Sequence, residues 1–149
     1  ASAFRAVFAG GFVSGGAQVN TIDYVTIATT GNATDFGDLT ATTTNAGCSN
    51  GVRAVFGGGS GGPHSNIIDY ITIATTGNAT DFGDLLTTLD AMASLSDGTK
   101  GVWGGGNASG AGNTGSNVIQ YVTIANTGNA TDFGDLTVAR RYLAGLSGT

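Results

Sequence analysis

The chain repeats itself three times, and that periodicity limits its fold more than any single residue does. RAVFAGG at Arg5–Gly11 recurs as RAVFGGG at Arg53–Gly59 and as KGVWGGG at Lys100–Gly106. A second block, TIDYVTIATTGNATDFGDL from Thr21, recurs as IIDYITIATTGNATDFGDL from Ile67 and VIQYVTIANTGNATDFGDL from Val118. Units that copy one another this closely cannot each bury a hydrophobic face alone, so they are expected to stack as a solenoid, a propeller or another cyclic array. The 149 residues read as a single repeat domain with units at approximately 1–51, 52–98 and 99–149.

Each unit reads as strands. Ile22, Tyr24, Thr26 and Ala28 alternate with Asp23, Val25, Ile27 and Thr29, with β-branched residues dominant, so this segment is expected to be a strand buried on both faces or nearly so. Thr-Gly-Asn-Ala-Thr-Asp is a turn, because glycine tolerates positive φ and Asn and Asp bond back to nearby backbone N–H groups. A hairpin return through Phe36 and Leu39 should follow, and a fourth, less regular element spans Thr40–Gly51, Thr87–Gly98 and Val138–Gly148. That alignment puts Cys48 at an apolar strand position, level with Leu95 and Leu146. With 27 glycines, one proline and only 10% charged residues, against about a quarter in typical domains, the expected class is all-β.

The composition also excludes functions. A net charge of −5 from five Lys/Arg and ten Asp/Glu leaves no basic stripe for phosphates, so no nucleic-acid partner is expected. Cys48 is the only cysteine and His64 the only histidine, which removes intrachain disulfides and multi-histidine metal sites. No apolar run approaches the roughly 20 residues that would span a bilayer, so no membrane insertion is expected and the chain reads as soluble. Neither a cofactor nor a metal is expected, and the chain is not expected to be an enzyme.

An apolar strand ending in a glycine doublet, then a variable loop and a strand whose tyrosine follows an acidic residue, resembles the kelch repeat. The doublets are Gly10-Gly11, Gly58-Gly59 and Gly105-Gly106; the tyrosines are Tyr24, Tyr70 and Tyr121. Phe36, Phe82 and Phe133 stand where the family carries tryptophan, and only Arg140 or Arg141 matches its basic residue. The Thr-Gly-Asn-Ala-Thr-Asp-Phe-Gly-Asp repeats are also similar to sequences in structural proteins of marine bacteriophages. The resemblance implies three four-stranded propeller blades. Propellers close with four to eight blades, so a homodimer completing a six-bladed ring is the expected assembly, each chain supplying a strand the other lacks. The same ends fit an excerpt of a longer array. A β-trefoil or β-prism with three repeats is the alternative fold.

Candidate chemistry is sparse. Asp35-Phe36-Gly37 and its copies at Asp81 and Asp132 spell the kinase magnesium triplet without any other kinase signature, and read as a turn. Asp35 with Asp38, and the copies, offer two carboxylates to a calcium ion that needs six to eight oxygens. Of the Asn-X-Ser/Thr triplets at Asn32, Asn78, Asn107 and Asn129, all but Asn107 fall at one repeat position and fit a copied turn better than a glycosylation site. Phe8, Phe56 and Trp103 sit at matched strand positions and should pack in the core. The loops FVSGGAQVN, SGGPHSN and NASGAGNTGSN diverge while the strands do not, so Gln18, His64 and Asn113 are the expected contact residues. The expected function is a non-enzymatic structural or interaction module, in a virion or on a surface, with protein or glycan as its partner. The alternative is a lectin-like module with one sugar site per repeat, built on the Asn-Ala-Thr-Asp-Phe turn through Asp35, Asp81 and Asp132.

Overall fold

The computed structural model describes residues 4–60, 64–108 and 114–148. Among them the backbone forms thirteen strands in four antiparallel sheets and no helix. Sheet 1 is a meander of β1 (Arg5–Ala9), β2 (Thr21–Thr26) and β3 (Thr34–Asp38). Sheet 2 orders β4 (Ala46–Ser49), β5 (Arg53–Gly57), β6 (Ile67–Thr72) and β7 (Thr80–Asp84). The two-residue strand β8 (Leu89–Asp90) precedes sheet 3, which orders β9 (Ala93–Ser96), β10 (Lys100–Gly104), β12 (Ser116–Thr123) and β13 (Thr131–Arg140). β11 (Asn107–Ala108) pairs back with β8.

The sequence repeat and the sheets share a period but not a phase. The irregular fourth element of each unit pairs with the first strand of the next, as Ala46↔Gly57 and Ala93↔Gly104 show, so each four-stranded sheet straddles a unit boundary. Register is conserved: Arg5↔Thr26, Arg53↔Thr72 and Lys100↔Thr123 are equivalent pairs. The Asp-Phe-Gly triplet is a β-bulge in every copy. The register slips between Ile22 and Asp23, Ile68 and Asp69, and Ile119 and Gln120, opposite glycines held at φ of 146°, 144° and 139° that an L side chain rarely adopts.

The sheets pack in series through two apolar layers. Between sheets 1 and 2 lie Ile22, Phe36 and Leu39 from one side and Ala54, Phe56 and Ile71 from the other. Between sheets 2 and 3, Val55, Ile68, Phe82 and Leu85 meet Trp103, Val122, Ile124 and Ala130. Alternation along each strand explains this: neighbouring residues such as Val55 and Phe56 serve opposite layers. The expected double burial of the tyrosine strand holds for β6 in the middle, whereas β2 is mostly half-buried.

The expectation that Phe8, Phe56 and Trp103 all pack in the core holds for two of the three. Trp103 is fully buried over Gly57 and donates its indole N–H to the Ala46 carbonyl at 2.8 Å, and Phe56 is buried against sheet 1. Phe8 is 60% exposed, since no preceding sheet covers it. The mirror case is Phe133, 57% exposed where Phe36 and Phe82 are 2% and 3%.

Candidate functional site

The near-identical residues of the repeat are occupied in joints between sheets. In the first joint the Gly77 and Ala79 N–H groups donate to the carbonyls of Phe36 (2.7 Å) and Asp38 (2.8 Å), while the Asn78 Oδ1 accepts from the Asp38 N–H at 3.1 Å. The second joint repeats it: Gly128 to Phe82 at 2.8 Å, Ala130 to Asp84 at 2.7 Å, and Asp84 N–H to Asn129 Oδ1 at 3.0 Å. The turn of one sheet therefore docks on the bulge strand of the sheet before it. Arg5 donates to the Ile73 carbonyl and Arg53 to the Ala125 carbonyl, each at 2.8 Å, while their guanidinium groups lie over Tyr24 and Tyr70.

A buried side chain completes each joint. Asp69 accepts from the Thr40 N–H at 2.9 Å and from its hydroxyl at 2.8 Å; at the equivalent place the Gln120 Oε1 accepts from the Leu86 N–H at 2.7 Å. Burial raises the Asp69 carboxyl above the ordinary carboxylate range, opposed by the Thr40 bonds.

These joints bear on the sugar sites expected at the turns. Asn78 and Asn129 already spend their carbonyl oxygens on Asp38 and Asp84. Asp35, Asp81 and Asp132 are exposed, one in each of three sheets, and the structure does not bring them together. No group of three His, Cys, Asp or Glu side chains is placed to hold a metal among the described residues. Cys48 lies half-buried in β4 against the second apolar layer, and desolvation pushes its thiol up to about 12.

The loops gather at the opposite end of the sheets from the turns. The glycine doublets make this possible: their second members, all at φ of 109°, donate to the returning connection, Gly11 to Thr43, Gly59 to Leu89 and Gly106 to Arg140. Gln18 and His64 both lie here. The Gln18 amide donates to the Ser60 carbonyl at the root of the neighbouring loop, and Thr44 and Ser60 hydroxyls meet at 3.1 Å. The His64 Nδ1 faces the Asp90 Oδ1 at 3.9 Å, and neither atom has a hydrogen-bond partner. Asn113 lies outside the described residues.

Between these loops opens a cavity of about 410 Å³ lined by Phe12, Thr44, Asn45, Ser60, Asp90 and Tyr142 among others. Phe12 and Tyr142 are exposed rings, and the Asn45 Nδ2 joins the Asp90 Oδ1 as a buried polar atom without a partner. Ala91 and Tyr142, also on its wall, hold φ of 52° and 55°, a left-handed conformation uncommon outside glycine. Gly59 and Ala46 on its wall are at repeated positions, but Phe12, Asn45, Asp90 and Tyr142 are not, so sequence periodicity carried no signal for its polar and aromatic lining.

No protein-family profile matches the chain, and no curated protein matches it. Among solved structures, one described as a novel fungal alcohol oxidase with catalytic diversity among the AA5 family, in complex with copper, is similar with a TM-score of 0.65 at 14% identity. The match covers 82% of this chain and 29% of that one, and the likeness is one of fold alone.

Proposed function

We propose that the chain is a non-enzymatic structural or interaction module: a kelch-like propeller scaffold that presents variable loops from one end, in a virion or on another surface. The observation that carries this reading is the use of the repeated segment. Gly-Asn-Ala and Phe-Gly-Asp are consumed in sheet-to-sheet joints, so the near-identity of the copies is accounted for by assembly. What diverges is the loop end, where Gln18 and His64 lie. Replacing residues 12–19 and 60–66 with Gly/Ser segments of equal length is expected to leave the melting temperature within about 4 °C, a change of roughly 1 kcal/mol, and to abolish capture of a cognate protein or glycan. A loss of cooperative folding, or unchanged capture, overturns the division of scaffold from loops.

The loop-end cavity favours a second reading as a carbohydrate-binding module, with the sugar placed there and not on the turns. Exposed Phe12 and Tyr142 offer stacking faces, and Asn45 and Asp90 supply a donor and an acceptor without partners. Glycan-array binding lost in Asp90→Ala and retained when Asp35, Asp81 and Asp132 are all changed to Ala supports this site; the reverse pattern restores the turns.

A further inference from the structure

The two internal joints state, residue by residue, what an end face of this stack binds. Sheet 3 presents the bulge strand half of a third joint: Phe133 is exposed, and nothing lies within 4 Å of the position a Gly134 Cβ would take, whereas at Gly37 and Gly83 that position meets the docked turn of the next sheet. Sheet 1 presents the turn half: Ala33 is exposed where the docked Ala79 is half-buried and Ala130 buried, and Phe8 and Ile27 are exposed where their equivalents Trp103 and Ile124 are fully buried.

We propose that these faces are complementary halves of one joint, closed by a second copy of this chain. The proposal rests on reading the three sheets as repeats of one scaffold. Repeating the internal geometry, Gly31 and Ala33 of one copy donate to the Phe133 and Asp135 carbonyls of the other, and Lys100, stacked on Tyr121 at 4.7 Å, reaches the carbonyls of Ile27 and Ala28 as Arg53 reaches those of Ile124 and Ala125. The buried polar position distinguishes a fitting partner from mere apolar contact. Where the receiving residue is Thr40, the incoming sheet offers Asp69 to both its N–H and its hydroxyl; where it is Leu86, with an N–H alone, the sheet offers Gln120. The unused pair at the two ends is Thr137 and Asp23, the Thr/Asp combination again.

A strand exchange accompanies the joint. β1 has a neighbour on one edge only, and along its other side runs a cavity of about 400 Å³ bounded by Arg5, Val7, Gly47 and Cys48 among others. Residues 144–147, at the position of β4 and β9 in the repeat, lie against β9, with the Ser147 hydroxyl on the Ser96 carbonyl at 2.5 Å and Leu146 exposed. β9 likewise lies beside β4, with its Ser94 hydroxyl on the Gly47 carbonyl at 2.7 Å. In a closed pair each copy's residues 144–147 fill the slot beside the other's β1. Sheet 1 then gains its fourth strand and both exposed faces are covered.

The test uses the whole chain and two variants that change only exposed side chains, Phe8→Asp and Phe133→Asp, each checked for unchanged circular dichroism. Sedimentation of the unaltered chain at about 50 µM is expected to give twice 14.6 kDa. Each variant alone is expected to sediment as a monomer, and their mixture as a heterodimer, because it retains one intact joint. An unaltered chain that stays monomeric, a ladder of longer species, or either single variant that still dimerises overturns the proposal. Asp23→Leu is expected to weaken association about tenfold or more, and Asp23→Gln with Thr137→Leu to restore it by copying the Gln120–Leu86 pair; equal weakening in both removes the polar rule. Dimerisation that persists when residues 12–19 and 60–66 are replaced by Gly/Ser segments separates this result from the proposed function, since neither joint face includes the loop end.

Discussion

At the scale of the residue, the buried carboxyl of Asp69 is the most informative group. Its folded-state pKa is raised, so its contribution to stability is full below the ordinary carboxylate value of about 3.9 and is lost as pH rises through the folded value. Asp69→Asn is expected to remove that dependence in urea unfolding between about pH 3 and 7 while keeping an acceptor for Thr40, as Gln120 does for Leu86. Asp69→Ala leaves the Thr40 donors unmet and should cost about 1–3 kcal/mol. Asp97 has the opposite sign: accepting N–H bonds from Lys100 and Thr99 lowers its pKa, so its support of the β9–β10 turn is present at neutral pH and lost as pH falls through the lowered value. The Cys48 thiol, protonated far above neutrality, is expected to resist iodoacetamide in the folded chain and to react on unfolding.

Among the elements, the bulge and the aromatic ahead of each glycine doublet separate what the repeat shows from what it hides. Gly83→Ala and Gly134→Ala both force a side chain to φ near 140°, but only at Gly83 would the Cβ strike the Gly128 carbonyl, 2.5 Å away. Gly83→Ala is therefore expected to cost about 1–3 kcal/mol more in denaturant melts of the monomeric Phe8→Asp background. Trp103→Ala should cost about 3–5 kcal/mol, whereas Phe8→Ser in the separated chain should change stability by less than about 0.5 kcal/mol. The strands, the hairpin through Phe36 and the β4 placement of Cys48 were legible because alternation and glycine position are local. The offset between repeat unit and sheet was legible only through the kelch resemblance, since nothing local distinguishes Ala46–Ser49 pairing with β5 from its pairing with β3. The contrast between Phe8 and Trp103 was not legible, because their sequence contexts match and only the number of neighbouring sheets differs. The loop-end cavity was illegible for a third reason: Asn45, Asp90 and Tyr142 come from separate connections and repeat nowhere.

For the whole molecule, stacking in series makes stability a sum of sheet and joint terms, with the end sheets each missing one joint. Closure by a second copy would add two joints at once. The melting temperature is then expected to rise with chain concentration in the unaltered protein and to be independent of it in Phe133→Asp, a comparison that scanning calorimetry at two concentrations decides.

The docking of Gly-Asn-Ala on Phe-Gly-Asp has a genetic consequence. Because a single encoded segment carries both plug and socket, duplicating or deleting one repeat in the gene preserves the Gly-Asn-Ala and Phe-Gly-Asp contacts of every joint and leaves only the buried polar pair to be matched. Array length can therefore change in whole steps by unequal recombination, while the loops, which hold no part of the Gly-Asn-Ala docking, are free to drift.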